Sequence, residues 1–309
     1  MIFRKKWLKL FIAILFSISI LVLGSISYLY YNIQKTAEHT YTPIKGKVVE
    51  SAPNNNKKQP FSLLLLGVDT GDYGRTGQGR TDTILVATVN PKNNSTTLVS
   101  IPRDSYTEII GTNQKDKINH AYAYGGISMT IATVENLLDI PINNYIEVNL
   151  KGLQELVDSL GGITVSNKFS FDYEGVTFPI GKQNLNGVNA LKYSRMRYED
   201  PNGDYGRQDR QRQIIMGMIE KIKKIDTLTN YKNILSIMQN NLKTDLKWEG
   251  IQNLFLNYKS SLNQISSIQL QGRGFTGDGN KGKLGISYQE LLEDQLVQVK
   301  QNLSDQLKY

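Results

Sequence analysis

FSLLLLGV (61–68), DTILVATVN (82–90) and STTLVSIP (95–102) are the runs whose reading decides the fold. Each is a short apolar or alternating run rich in β-branched residues, the signature of a strand in or beside a core. Pro91-Lys92-Asn93-Asn94 separates the last two and signals a hairpin. Working outward, YIEVN (145–149), ITVSN (163–167), KFSFDY (168–173) and ISSIQLQG (265–272) read as further strands. SMTIATVENLLD (128–139) has helical spacing, with Ile131, Val134, Leu137 and Leu138 on one face. LKGLQELVDSL (150–160) is a helix stopped by Gly161-Gly162, and LNGVNALKYSR (185–195) is a short one. A long helix covers about 206–224, two more follow near 230–242 and 248–259, and a Gly-rich turn (272–285) leads into a C-terminal helix over about 288–305. Strands alternating with helices predict an α/β or α+β sandwich forming one domain, 61–309.

Upstream, Arg4, Lys5, Lys6 and Lys9 precede an uncharged apolar run from Leu10 to Tyr31. At ~1.5 Å per helical residue this run matches a ~30 Å hydrocarbon core. A cleaved signal peptide has a shorter apolar core, about 7–15 residues, followed by a small-residue site that is absent here. The run therefore reads as a retained transmembrane signal anchor (10–31). Its basic flank (1–9) sets the N-terminus in the cytoplasm and the rest outside the cell membrane. Residues 32–60 are polar, contain Pro43 and Pro53, and read as a linker. The chain lacks cysteine, so disulfides and thiolate metal sites are excluded. Its net charge of +8 suits an anionic membrane lipid surface or an anionic polymer. Nucleic acid would suit the charge equally but is excluded as a partner by the topology.

Charged residues concentrate beside apolar runs between Asp69 and Gln211. Asp69 ends the first strand and Asp82 begins the next, so their carboxylates can face one cleft. Paired carboxylates suit Mg²⁺ (Mn²⁺ is the other ion such a pair accepts), whereas zinc would have only His39 and His120 for soft ligands. The competing reading is that both aspartates cap turns. Arg103 follows a strand directly; Arg195 and Arg197 stand two apart. Arginine is the residue of choice for forked contacts to phosphate. On the long helix Arg207, Gln211, Ile214, Ile215, Met218 and Ile222 share one stripe, so Arg207 and Gln211 turn inward at a helix end that favours anions. Arg210 and Arg212 fall off that stripe and are expected in solvent. Asp204 is either this helix's N-cap or a catalytic carboxylate. Lys117 is either a phosphate contact or a surface charge, and His120 reads as structural.

Gly67-Val68-Asp69, Arg80-Thr81-Asp82-Thr83, Ile101-Pro102-Arg103-Asp104, Lys117-Ile118-Asn119-His120-Ala121-Tyr122, Gly161-Gly162-Ile163 and the run from Leu191 to Arg212 together resemble the LytR-CpsA-Psr family, and within it the teichoic acid transferases. The resemblance implies a three-layer α/β/α sandwich with a central mixed sheet behind one N-terminal transmembrane helix. It implies a phosphotransferase that moves an anionic wall glycopolymer, such as wall teichoic acid, from an undecaprenyl-pyrophosphate carrier to a muramic acid hydroxyl of peptidoglycan. Asp69 and Asp82 would hold Mg²⁺. Arg103, Arg195, Arg197, Arg207 and Gln211 would hold the pyrophosphate, with Lys117 beside them. Arg103 and Arg207 would act in catalysis, and Asp104 or Asp204 would take the acceptor proton. Many members carry an arginine two residues after the first aspartate; Gly71 stands there, and Arg75 or Arg80 is the replacement. The same residues would also serve a polyprenyl-pyrophosphate phosphatase, or a membrane-tethered regulator that binds polyprenyl phosphate.

Overall fold

A computed structural model describes residues 2–44, 53, 58–69, 79–224 and 241–308. Helix α1 (Ile2–Thr40) is followed by β1 (Phe61–Val68), β2 (Thr81–Asn90), β3 (Ser95–Ser100), β4 (Tyr106–Ile109) and β5 (Gln114–Lys117). Next come α2 (His120–Leu138), β6 (Asn144–Asn149), α3 (Leu150–Ser159) and β7 (Ile163–Asn167). Then follow β8 (Phe171–Tyr173), β9 (Val176–Phe178), β10 (Gly181–Leu185), α4 (Gly187–Arg195) and α5 (Asp204–Lys223). The chain closes with β11 (Leu242–Thr244), α6 (Trp248–Asn257), β12 (Gln264–Gln269), β13 (Gly272–Thr276), β14 (Ser287–Leu291) and α7 (Glu293–Leu307).

The predicted hairpin is the middle of a six-stranded mixed sheet, in the order β11-β6-β1-β2-β3-β12. Strands β1, β2 and β3 run antiparallel in sequence; β6 joins β1 in parallel and β12 joins β3 in parallel. The turn between β2 and β3 is held by Asn90 Oδ1, which accepts from the N–H groups of Lys92 and Asn93. Strand alternation then sorts the side chains onto two faces. Leu64, Leu66, Val68, Ile84 and Val86 pack on Ile131, Val134 and Leu138 of α2 and on Leu296, Val299 and Leu303 of α7. Leu63, Leu65, Leu85, Ala87 and Leu98 face the other way, toward Ile215 of α5. A second apolar cluster gathers Val157, Ile163, Phe171, Phe178, Tyr193 and Ile214 under α3, α4 and α5.

Several boundaries differ from expectation. Helix α2 starts at His120 and not at 128, because non-helical Gly125 and Gly126 kink it and hide its first turn. The stretch 168–173 keeps only the short strand β8. The Gly-rich segment 272–285 is not one turn: its start is β13, which pairs with β14, so the last helix begins at Glu293 and not at 288. The helix expected over 230–242 lies outside the described residues as far as 240, and beyond it Leu242–Thr244 is an edge strand. Helix α1 continues to Thr40, after which Thr42 N–H donates to Thr244 O at 2.7 Å. Among the described residues no helix is long and apolar enough to cross a membrane; the side chains of α1 are described from Phe16 onward. Phe16, Leu21, Leu23, Tyr28 and Tyr31 stand exposed on it.

Candidate functional site: a charged cluster at the strand ends

A β-bulge between Gly67 and Val68 ends the β1–β2 ladder. Past it, Asp69 N–H donates to Arg80 O at 3.1 Å, and Asp69 Oδ1 accepts from the Arg80 N–H at 3.0 Å. Both predicted strand-end carboxylates therefore emerge from adjacent strands at the same end of the sheet. Strand β3 leaves that end as Ile101-Pro102-Arg103-Asp104. Its turn is fixed by the Ser105 N–H donating to Pro102 O at 3.0 Å and the Asn119 N–H donating to Arg103 O at 3.2 Å. So braced, Arg103 Nη1 reaches Asp82 Oδ1 at 2.5 Å, while its Nε lies 3.7 Å from Asp104 Oδ2. Lys117 Nζ holds Asp104 Oδ1 at 2.7 Å, which places Lys117 in the cluster and not on open surface.

Helix α5 supplies the opposite wall. Its N-cap is Gly203, at φ 54°, a left-handed conformation that glycine adopts without strain. Asp204 is thus the first helical residue and makes no cap; the N-cap reading is corrected. Its Oδ1 lies 2.8 Å from Arg207 Nη2 and 3.9 Å from Arg197 Nε, and its Oδ2 accepts from Gln208 at 3.1 Å. Burial pulls the Arg207 guanidinium below its ordinary value; Asp204 opposes this, and the nearby Arg103 charge adds to it. For Arg103 burial also pulls down, but the charge and hydrogen bond of Asp82, with Asp204 and Asp104, outweigh it and raise the group. These mutual fields tie Asp82, Arg103, Asp204 and Arg207 into one site. Arg207 Nη2 and Asp204 Oδ1 meet as an ion pair, whereas Arg103 Nε and Arg207 Nε are buried with no hydrogen-bond partner among the described residues. A buried guanidinium donor without an acceptor is costly, and an anion with several oxygens removes that cost.

Gln211 is half-buried and lines a small cavity with Asp82, Thr83, Ser100 and Gln208 at the same sheet end. Arg197 is exposed at the rim and Arg195 ends α4, half-buried. Arg80 contributes its backbone to Asp69, with its side chain exposed. Arg75 and Gly71 lie outside the described residues. Asp69 and Asp82, at neighbouring strand ends, offer only oxygen ligands, and among the described residues no group of three or more carboxylates or histidines is placed to hold a metal ion. That set fits Mg²⁺, which takes one or two carboxylates and fills its shell with water and phosphate oxygens; it does not fit zinc.

Two networks went unread in the sequence. Arg210 is not in solvent: it is 3% exposed, pairs with the 1%-exposed Asp200, donates its Nε to Tyr193 O at 2.9 Å, and lies over the Phe171 ring at 5.3 Å. The helical stripe drawn through Arg207 misses a second buried face of α5, which packs on the small-sheet cluster. Asp116 is the other hub. It takes Lys283 Nζ at 2.8 Å, Tyr124 Oη at 2.7 Å, His120 Nδ1 at 3.0 Å and the Lys117 N–H at 2.9 Å. His120 is thereby structural, as expected.

The family model described as the LytR_cpsA_psr family matches residues 27–305. The polyisoprenyl-teichoic acid–peptidoglycan teichoic acid transferase TagU of Enterococcus faecalis is 46% identical over 303 residues, covering 98% of each chain. The crystal structure of TagU from B. subtilis superposes with a TM-score of 0.64 at 42% identity, covering 82% of this chain and 98% of that one. A structure of TagT bound to LI-WTA superposes with a TM-score of 0.68 at 31% identity, over 84% of this chain and 94% of that one. With a family match spanning nearly the whole domain and carrying every arginine of the cluster, the chain belongs to the LytR-CpsA-Psr family.

Proposed function

We propose that this chain transfers a wall glycopolymer, wall teichoic acid by the names of its relatives, from a polyprenyl-pyrophosphate carrier to a hydroxyl of peptidoglycan. The observation that carries the reading is the buried Nε donors of Arg103 and Arg207, without hydrogen-bond partners among the described residues, in one charged cluster with Asp82 and Asp204. Such a site offers a pyrophosphate charge-assisted hydrogen bonds. In the reaction the acceptor oxygen bonds to the phosphorus of the sugar phosphate. The bond from that phosphorus to the bridging oxygen breaks, and the polyprenyl phosphate leaves. The arginines hold the charge of the leaving phosphate, and positioning supplies most of the rate. Both candidate bases are ion-paired, Asp104 Oδ1 with Lys117 at 2.7 Å and Asp204 Oδ1 with Arg207 at 2.8 Å. Asp104 and Asp204 both stand as acceptors for the hydroxyl proton. Mg²⁺ held by Asp69 and Asp82 would neutralise phosphate charge.

The N-terminal run would anchor the domain outside the cell beside its lipid donor, with the basic flank inside. The exposed apolar side chains of α1 support this. Protease digestion of intact cells would degrade the domain if so; its protection would sink that topology.

A reconstituted assay with lipid-linked polymer and peptidoglycan tests the activity. Arg103→Ala and Arg207→Ala should each reduce transfer by about 10²–10³. Full activity of the double variant would refute the site. Release of polymer phosphate to water with peptidoglycan present would instead identify a phosphatase.

A further inference from the structure

Tyr198 is 94% exposed, more than any other large apolar side chain among the described residues. A single exposed ring is ordinary on a protein surface; what sets this one apart is its seat. It stands in the turn between α4 and α5, which is fastened on both sides. Before it, the Met196 carbonyl accepts from Arg210 Nη2. After it, the Asp200 N–H donates to Arg197 O at 3.3 Å, the Gly203 N–H donates to Asp200 O at 2.9 Å, and Arg210 pins the Asp200 carboxylate. The turn thus holds an aromatic side chain in water on ordered backbone, so little loop ordering is left to oppose binding. The charged cluster begins next to it. The Arg197 guanidinium lies over the Tyr198 ring, its carbon 6.0 Å from the centroid, and Arg197 Nε lies 3.9 Å from Asp204 Oδ1, which pairs with Arg207. Arg207 is buried, Asp204 half-buried, and Arg197 and Tyr198 exposed, so the four lead from the interior to solvent in that order. A polymer whose pyrophosphate sits on Arg103 and Arg207 is too large to be buried and must leave by the exposed end. The first group past the pyrophosphate then lies against Arg197 and Tyr198. An aromatic face is apolar and electron-rich, so it attracts a cation and covers the C–H groups of a saturated ring. An open-chain polyol has no flat face to lay on it.

We infer that Tyr198 is a specificity-determining residue: its ring is the platform for the sugar esterified to the reacting phosphorus, and it favours a pyranose there over an open-chain polyol. The inference rests on the proposed transfer and is tested by binding. Isothermal titration of the full-length protein in Mg²⁺ buffer would use two probes of equal charge and equal lipid, geranylgeranyl pyrophosphate esterified with glucose and the same lipid esterified with glycerol. The wild type should hold the glucosyl lipid about three- to tenfold more tightly than the glyceryl lipid, the worth of one aromatic contact. Tyr198→Ala should erase that preference by weakening the glucosyl lipid alone. Tyr198→Phe, which keeps the ring and drops the hydroxyl, should retain it. Equal affinity of the wild type for both probes overturns the assignment, as does a preference that survives in Tyr198→Ala. Equal weakening of both probes in Tyr198→Ala would give the ring to the lipid or to the placement of Arg197, and loss of the preference in Tyr198→Phe would give the effect to the hydroxyl; either result overturns the platform. These failures leave the transfer reading standing, because both lipids still bind. Failure of the wild type to bind either lipid strikes the transfer reading itself, and the platform with it.

Discussion

Arg207 and Arg210 stand three residues apart on one helix, both nearly buried, and replacing each with methionine should have opposite consequences. Arg210 pairs with Asp200 where both side chains are at most 3% exposed, and it also satisfies the carbonyls of Tyr193 and Met196. Arg210→Met leaves a buried carboxylate without its counter-charge, held among the described residues only by the Asn202 N–H, and two carbonyls without this donor. Breaking one side of such a pair costs about 3–5 kcal/mol. For a domain of this size that lowers the melting temperature by roughly 6–20 °C. Arg207 is different: it pairs with the less deeply buried Asp204, its Nε lacks a hydrogen-bond partner among the described residues, and Arg103 repels it. Arg207→Met breaks one ion pair, but Asp204 keeps Gln208 and lies 3.9 Å from Arg197, so the loss should stay at about 1 kcal/mol, well below that at Arg210. Binding of a polyprenyl pyrophosphate should be lost in Arg207→Met. Thermal unfolding followed by circular dichroism, with lipid binding measured on the same samples, reads both. Equal destabilisation by the two changes would refute the division into a structural and a ligand-holding arginine, as would an unperturbed Arg210→Met.

Gly206 packs its Cα against the Asp200 carboxylate, where an added Cβ would collide. Gly206→Ala should destabilise by about 1–3 kcal/mol, and a double-mutant cycle with Arg210→Met should be clearly non-additive in the same unfolding measurement. Burial alone would push the Asp116 carboxyl up, but Lys283, Tyr124, His120 and the Lys117 N–H together hold it well below its ordinary 3.8. Its contribution is therefore complete above that pH and fades as the pH falls toward the depressed native value. Asp116→Asn should cost about 1–3 kcal/mol at neutral pH, with the gap to wild type closing in acid denaturation below pH 3.8; a constant gap would contradict the network. Chelation, or Asp82→Asn, should lower transfer by about tenfold or more in the reconstituted assay, and activity indifferent to both would remove the metal from the reading.

The sheet and the cluster were legible for one reason: strands of strict apolar pattern end abruptly in charge. FSLLLLGV-Asp69 and STTLVSIP-Arg103 announce both the strand and what its end presents. The inward turn of Arg207 was legible because the same stripe becomes apolar one turn later. Arg210 was not, since its partners, Asp200 and the ring of Phe171, come from loops and short strands far along the chain. The pairs β4–β5 and β13–β14 were missed because their sequences, QKDK and GRGFT, carry no alternating apolar face; Asp116 and Tyr288, brought together by the fold, hold them in place. The first turn of α2 was hidden by two glycines that bend the helix without ending it.

The charge balance of the cluster bears on why two carboxylates stand at the strand ends. Arg103, Lys117, Arg197 and Arg207 face Asp82, Asp104 and Asp204 within ion-pair distance, leaving a single net positive charge. Asp69, on the neighbouring strand end, cancels it. A near-neutral cluster folds without large self-repulsion, and its buried members are mostly paired. The same neutrality makes it a weak trap for a pyrophosphate diester, which brings two negative charges of its own. Directed donors on Arg103 and Arg207 supply geometry, but the field they create is already spent on the aspartates. Asp69 and Asp82 are the residues that would hold a divalent cation, whose charge would offset that of the phosphates, and Arg103 would then be free of Asp82 to meet the substrate. In this arrangement the carboxylates hold the arginines in place, and metal and phosphate together would take over from them, so that the charge of the cluster would stay compensated.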